Sequence, residues 1–175
     1  MLRPKDIIPK LIEIRFRILL YREHLILKVD MNTIYTIGYQ GRSLDEFVEV
    51  LLRGGIEIVI DVRKTPFSRK PGFSKSKIEK VLLEHGIRYV HYRELGTPKE
   101  LRKRFLSGEM NFHEFKKEFI TELYSNGGRE ALKDVERICR GNRCALMCYE
   151  RNWWECHRTI IAEILQENGF QATNL

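Results

Sequence analysis

Thiol, imidazole, carboxylate and guanidinium groups lie close together near the end of the chain. An apolar run over 144–148 has the length of a strand, and Glu150, a short polar and aromatic loop and then Cys156-His157-Arg158 follow it. A thiol at the start of a helix tends to ionise, because backbone N–H groups and the helix dipole stabilise negative charge there. The pattern therefore predicts that Cys156 has a lowered pKa and acts as a nucleophile or redox thiol.

The helix that positions this motif can be predicted from its spacing. Apolar residues recur at helical period after Cys156, and Gly169 supplies a stop: Ile160, Ile161, Ile164 and Leu165. Cys156 and His157 lie at the top of that apolar stripe, so we expect them over the sheet, whereas Arg158 lies off it and could reach the edge of the site. The alternative is that Cys156 is a small buried hydrophobic residue and His157 a hydrogen-bonded histidine at a helix start.

Two further predicted strands, over 33–38 and 56–62, end in residues that could complete the site. Ser43 begins the helix between them, with Glu46 as its capping-box partner. The second strand is apolar and β-branched enough to be central in a parallel sheet. Open parallel sheets place their ligand sites at the carboxyl ends of the strands, so the residues that follow both strands are candidates: Gly38, Tyr39, Asp61, Arg63, Ser68 and Arg69.

A third unit follows, with a helix predicted over 74–85 and a strand over 87–92 that carries His91 near its end. The segment 97–142 predicts a helical insertion of two or three helices before the last strand, at 144–148. The predicted fold is therefore α/β, with a mainly parallel sheet and helices on both sides. Along the chain its order is β-α-β-α-β, the helical insertion, and then β-α.

Taken together, these motifs resemble the DUF488 family, a family of prokaryotic proteins named for its unknown function. The resemblance covers about residues 33–169 and rests on the following motifs, in this order: Thr36-Ile37-Gly38-Tyr39, Asp61-Val62-Arg63 with Pro66, Ser68-Arg69 and Phe73, Tyr89-Val90-His91 with Glu94-Leu95-Gly96, Cys148-x-Glu150, and Cys156-His157-Arg158. It implies a single α/β domain over 31–175 and a candidate site, but no established reaction. Such domains usually begin at the position of Met31, and this chain departs from the family by the segment that precedes it.

That segment, residues 1–30, mixes Arg and Lys with Leu and Ile and predicts a basic amphipathic extension. We expect a helix that packs on the domain or on a second copy, as a homodimer, rather than on a membrane surface. No apolar run is long enough to span a bilayer, and the N-terminus lacks the features of a secretion signal. A cytoplasmic protein with no membrane partner is therefore expected.

The chain has four cysteines, which are expected to be reduced: Cys139, Cys144, Cys148 and Cys156. No Cys-x-x-Cys occurs, although structural zinc sites usually space paired ligands closely. Cys144 and Cys148 share one face of a strand but stand roughly 13 Å apart, too far to bind one ion directly. The sequence predicts no bound metal and no cofactor, although four side chains could converge: Cys148, Cys156, His157 and His91.

The formal net charge of +7 suits an anionic ligand, or merely solubility. For an enzyme, the arginines and the helix N-terminus would bind a small substrate that bears phosphate or carboxylate. Glu150 or His91 would be a general acid or base, and the predicted catalytic residues are Cys156, His157, Glu150 and Asp61. The Cys-x5-Arg loop of thiol phosphatases and rhodanese-like enzymes is absent, because Trp154 stands where that arginine would follow Cys148.

The alternative is a non-catalytic module that binds nucleic acid or a nucleotide. Trp153 and Trp154 could stack a base beside the same arginines, or they could cover the core as a hydrophobic plug. The density of titratable groups favours the enzyme, because a binding module needs only charge and stacking. The substrate-binding residues predicted for the enzyme are Arg63, Arg69, Arg158, Gly38, Tyr39, Ser68, His91 and Cys148.

Overall fold

The computed structural model describes residues 32–175, which form a five-stranded sheet in the order β3-β2-β4-β1-β5. The strands are β1 (Thr33–Gly38), β2 (Ile58–Asp61), β3 (Arg88–His91), β4 (Cys144–Cys148) and β5 (Gln171–Asn174). Every neighbouring pair is parallel. The structure confirms the predicted α/β fold with a parallel sheet.

Six α-helices connect these strands within the described residues: α1 (Leu44–Arg53), α2 (Lys75–Glu84), α3 (Lys99–Leu106), α4 (Phe112–Ser125), α5 (Gly128–Cys139) and α6 (His157–Glu167). The predicted helical insertion consists of α3, α4 and α5. The predicted capping box at the start of α1 is present, because the Ser43 hydroxyl accepts from the Glu46 N–H and the Glu46 carboxylate accepts from the Ser43 N–H.

The sheet separates two apolar cores, which confirms that helices cover both of its faces. Helices α1 and α2 pack on one face, where Ile37 and Val59 point, and α3 to α6 pack on the other, where Ile34 and Ile60 point. Strand β4 lies between β1 and β2 and is buried along its whole length. The chain leaves β1 and β2 towards one face and leaves β4 towards the other, which is the arrangement that opens a crevice at the carboxyl ends of the strands.

The sequence pattern does not predict β5, and this corrects the expected position of the insertion, which precedes β4 rather than the last strand. The segment Gln171–Asn174 is polar and mostly exposed, so it lacks the apolar signal of a strand. It joins the sheet by pairing with β1, with Ala172 opposite Ile34. The Thr36 hydroxyl also donates a hydrogen bond of 2.8 Å to Asn174 Oδ1.

The predicted amphipathic extension over residues 1–30, and the homodimer that it would form, lie outside the described residues and stay predictions. Within residues 32–175, no helix is both long and apolar enough to cross a membrane.

Candidate functional site

A pocket of about 1260 Å³ opens at the carboxyl ends of β1, β2 and β4. Seven of its lining residues are basic, so we call it the basic pocket: Arg63, Lys64, Arg69, Lys70, Lys99, Arg102 and Lys103. The predicted site residues that line it are Tyr39, Arg63, Ser68, Arg69, Cys148, Glu150 and His157. Five other predicted residues do not line it: Gly38, Asp61, His91, Cys156 and Arg158.

Four side chains converge at the end of β4 and the start of α6, and we call them the four-residue cluster: Cys148, Glu150, Cys156 and His157. Their two Sγ atoms, one carboxylate oxygen and one ring nitrogen all lie within 4.8 Å of one another. Cys148 Sγ is 2.9 Å from Glu150 Oε2 and 3.9 Å from His157 Nδ1. Cys156 Sγ is 3.4 Å and 3.9 Å from the same two atoms.

The His157 ring is oriented by the backbone of Val62, the residue that follows β2. Helix α6 begins at His157, with Cys156 as its N-cap. His157 Nε2 lies 2.8 Å from the carbonyl oxygen of Val62. A carbonyl oxygen only accepts, so Nε2 carries a proton and Nδ1 faces the two thiols.

The pKa values of the two thiols in the cluster are shifted in opposite directions, and the shift of Cys156 is opposite to the one predicted from sequence. Burial raises the pKa of Cys156 well above its ordinary value, and the Cys148 thiol and the Glu150 charge raise it further. Burial also opposes ionisation of Cys148, but its hydrogen bond with Cys156 and the positive charge of His157 outweigh burial and lower its pKa to about 6. The raised pKa of Cys156, caused first by its burial, contradicts the predicted lowering.

Asp61 and Arg63 form a buried ion pair at the wall of the basic pocket, which Arg63 lines. Asp61 Oδ2 is 2.5 Å from Arg63 Nη2 and also accepts a hydrogen bond of 2.5 Å from the Tyr89 hydroxyl. Arg63 Nη1 donates to the Tyr39 hydroxyl at 2.8 Å and to the Phe73 carbonyl at 2.9 Å. Asp61 is completely buried, so the carboxylate predicted to be catalytic is occupied by protein partners.

Arg158 is also completely buried, so the prediction that it could reach the edge of the site is wrong. Its Nη1 donates to the carbonyl oxygen of Glu150 and lies 3.5 Å from Cys156 Sγ. Its Nη2 donates to the carbonyl oxygen of Arg151 at 3.3 Å. The guanidinium therefore ties the loop after β4 to the start of α6.

Replacing Arg158 by lysine should lower the free energy of unfolding by about 2 kcal/mol, because one ammonium group cannot contact both carbonyl oxygens. Urea unfolding followed by tryptophan fluorescence measures this, since Trp153 and Trp154 lie in the loop that Arg158 holds. The matched control is Arg104→Lys, whose side chain pairs with Glu118 on the surface and whose loss should leave stability unchanged. A loss no larger than the control's would contradict the role of Arg158.

Two other predicted site residues, His91 and Gly38, lie against backbone atoms of the protein and do not line the basic pocket. His91 Nε2 lies 2.8 Å from the Arg63 carbonyl oxygen, so this ring does not join the four-residue cluster. A Cβ built on Gly38 would lie 1.9 Å from the Glu150 carbonyl oxygen, so only glycine lets β1 approach the loop after β4 this closely.

Sequence reasoning missed Thr97, which lines the basic pocket. The residue is 7 % exposed, and its hydroxyl has no hydrogen-bond partner among the described residues. It precedes α3, which begins after Pro98 without a side-chain cap. The available signal was the sequence Gly-Thr-Pro immediately before a basic helix, because helix N-termini attract anions.

Trp153 and Trp154 lie at a second pocket and not at the basic pocket. Their ring centroids are 5.0 Å apart, and Trp154 is 60 % exposed. Arg42 and Arg151 line the same second pocket. The nucleic-acid alternative expected the tryptophans beside Arg63, but they do not line the pocket that Arg63 lines. Trp154 is too exposed to be a plug over the core.

Comparison with known proteins supports the resemblance found in the sequence. No curated protein and no solved structure matches the chain. Residues 43–165 match the family described as "Domain of unknown function DUF488", a range that includes Asp61, Arg63, Thr97 and the whole four-residue cluster. The match spans more than half of the chain, and the protein therefore belongs to the DUF488 family.

Proposed function

We propose that this domain is an enzyme that acts on a small anionic substrate, bearing a phosphate or carboxylate group, in the basic pocket. One observation carries the proposal. The same pocket is lined by Thr97, whose buried hydroxyl has no partner among the described residues, by basic side chains and by three members of the four-residue cluster, Cys148, Glu150 and His157. A buried hydroxyl without a partner costs free energy, so its presence in a pocket indicates a ligand that completes it.

The anionic group of the substrate would bind at the start of α3. Thr97 Oγ1 can donate to an anion, and the uncapped first turn of α3 offers backbone N–H groups beside it. Lys99 and Lys103 of α3 and Arg69 from the loop after β2 line the pocket and supply positive charge. Phosphate and carboxylate groups both suit this combination of a hydroxyl, N–H groups and cations.

The reacting part of the substrate would lie against Cys148, Glu150 and His157. Glu150 is the most accessible of the three, with 27 % of its side chain exposed, and Arg102 Nη2 holds its Oε1 at 3.1 Å. Acid, base and nucleophilic groups within one pocket are what hydrolysis or group transfer requires. Cys156, predicted from sequence as the reactive residue, would support this surface from beneath.

Replacing Thr97 by valine tests the anion site with almost no change in shape. We expect the variant to bind inorganic phosphate about tenfold more weakly, because a hydrogen bond to a charged group is lost. Its stability should be unchanged or slightly higher, since the hydroxyl has no partner in the protein. Isothermal titration calorimetry and urea unfolding on the same preparations measure the two effects.

Thr121→Val is the matched control, because its hydroxyl lies on the exposed surface of α4 and bonds to the carbonyl oxygen of Lys117. This variant should bind phosphate like the natural protein. If Thr97→Val also keeps full affinity, or if the natural protein does not bind phosphate or a simple carboxylate at all, the proposed anion site is wrong.

The second candidate is weak binding of nucleic acid or a nucleotide at the pocket that holds the tryptophans. The observation in its favour is the exposed Trp154 ring beside Arg42 and Arg151, since a base can stack on an indole while arginines contact the phosphates. The argument against this candidate is that no residue of the four-residue cluster lines this pocket, so the cluster would have no role.

Trp154→Ala distinguishes functional stacking from attraction by charge alone. We expect single-stranded oligonucleotides to bind this basic chain weakly, with an affinity that falls steeply as salt rises and is unchanged in the variant. Fluorescence anisotropy at several salt concentrations measures both. A loss of about 1–3 kcal/mol of binding free energy in Trp154→Ala would instead establish a stacking site.

A further inference from the structure

We propose that the four-residue cluster, Cys148, Glu150, Cys156 and His157, is a binding site for one zinc ion. The inference stands on the geometry of the cluster and does not require the anion-binding function proposed above. Zinc sites in proteins are commonly built from cysteine, histidine and carboxylate ligands in a tetrahedron, and the cluster offers this set.

The separations between the four ligating atoms suit a tetrahedral ion. With zinc bonds of about 2.3 Å to sulfur and about 2.0–2.2 Å to nitrogen or oxygen, tetrahedral ligand atoms lie roughly 3.3–3.8 Å from one another. In the structure, the contacts of the two Sγ atoms with Glu150 Oε2 are 2.9 Å and 3.4 Å, and those with His157 Nδ1 are both 3.9 Å. All four atoms lie within 4.8 Å of one another, so small side-chain shifts suffice to surround an ion.

The surrounding contacts orient these ligands in the way that metal sites require. The Val62 carbonyl oxygen holds the proton of His157 on Nε2, at 2.8 Å, so Nδ1 offers its lone pair to the cluster. Arg102 binds Glu150 Oε1 at 3.1 Å, and this leaves Oε2 to face the thiols. Arg158 Nη1 lies 3.5 Å from Cys156 Sγ, where it can stabilise a thiolate.

Burial and charge also favour a cation at this place. Cys148, Cys156 and His157 are between 2 % and 8 % exposed. Zinc binding would release the protons of the two thiols, and the cation would then offset the negative charge of two thiolates and a carboxylate held this close together in a buried site. Two sulfur ligands with one imidazole suit zinc better than calcium or magnesium, which bind through oxygen.

Glu150 is the ligand most open to replacement, because its side chain is 27 % exposed and it lines the basic pocket. A zinc ion that exchanges Glu150 for a water or a substrate oxygen would have the open position of a catalytic site. This role for Glu150 rests on the proposed function, whereas the binding of zinc by the cluster does not.

The zinc content of the full-length protein tests the inference. The chain is purified without a histidine tag or chelator and analysed by inductively coupled plasma mass spectrometry, and we expect about one zinc per chain. Cys156→Ala and His157→Ala should each retain less zinc, with an affinity at least about tenfold lower, because loss of a ligand costs no less than loss of a residue that orients one. The matched control is Cys139→Ala, whose thiol is also buried but lies outside the cluster, and this variant should keep its zinc.

A second measurement needs no variant, so it holds even if the variants fail to fold. X-ray absorption at the zinc edge of the natural protein should show two sulfur ligands at about 2.3 Å and two nitrogen or oxygen ligands at about 2.0–2.2 Å. A protein that contains no zinc and takes none up from solution would overturn the inference. Zinc retained fully by both Cys156→Ala and His157→Ala, or a ligand shell without sulfur, would do the same.

The two proposals fail in distinguishable ways. A zinc-free protein that binds phosphate through Thr97 would overturn the zinc site and leave the anion site in place. A protein that holds zinc in the cluster but binds phosphate equally well with or without the Thr97 hydroxyl would confirm the zinc site and contradict the anion site.

Discussion

Replacing Asp61 by asparagine is expected to lower the free energy of unfolding by about 3–5 kcal/mol, because it leaves a buried arginine without its counter-charge. The carboxylate is completely buried and accepts hydrogen bonds from the Arg63 guanidinium, from the Arg63 backbone N–H and from the Tyr89 hydroxyl. Asparagine keeps the shape of the side chain but not its charge. Urea unfolding followed by tryptophan fluorescence measures the loss.

The matched control is Asp134→Asn on the surface of α5, where Asp134 lies 2.6 Å from Arg137 and 47 % of its side chain is exposed. Loss of that ion pair should cost about 0–1 kcal/mol, since water screens it. A similarly small loss in Asp61→Asn would contradict the structural role. In a further variant, Asp61→Asn combined with Arg63→Met should be more stable than Asp61→Asn alone, because the unpaired buried charge is gone.

The structural role of Asp61 shows where sequence reasoning reaches its limit in this protein. Strong local signals predict β1, α1 with its Ser43 capping box, β2 and α2, because alternation, capping and glycine stops act within a few residues. The position of the site at the carboxyl ends of the strands follows from the parallel topology. The polar edge strand β5 has no such signal, and it forms only because β1 offers it a hydrogen-bonding partner.

Side-chain partners depend on distant residues, and there the sequence predictions were less accurate. The sequence predicts Asp61 as a catalytic residue and Arg63 as a substrate-binding residue, but Tyr39, Phe73 and Tyr89 complete a buried network with them. The alternation of a strand places both residues on one face, but nothing in it shows that the partners come from three other segments.

The cluster shows the same limit. The convergence of Cys148, Cys156 and His157 was anticipated, but with His91 as the fourth group, and the structure has Glu150 in that place. The Val62 carbonyl oxygen sets the orientation of His157, and this contact joins the residue after β2 to the start of α6 across 95 positions of the chain. Such a contact determines which ring nitrogen faces the thiols, and no local pattern contains it.

The Gly38→Ala variant is expected to be about 3 kcal/mol less stable than the natural protein, because the new methyl group would collide with backbone atoms. A Cβ at this position would lie 1.9 Å from the carbonyl oxygen of Glu150 and 2.7 Å from its carbonyl carbon. The backbone of the loop would have to move, since no flexible side chain is there to rotate away. Urea unfolding measures the loss of stability.

Gly141→Ala is the matched control, because a Cβ there meets no atom within 4 Å and its backbone does not have a positive φ. Its stability should change by less than about 0.5 kcal/mol.

The collision at Gly38 also has a consequence for the site, because the backbone that must move carries the Glu150 carboxylate. That carboxylate lies 2.9 Å from Cys148 Sγ and 3.1 Å from the Arg102 guanidinium, and a displaced loop would lengthen both contacts. We therefore expect Gly38→Ala, but not Gly141→Ala, to lose zinc to a chelator faster than the natural protein under conditions where all three remain folded. Equal rates of loss in the three proteins would show that the close approach of β1 supports the fold alone and does not position Glu150.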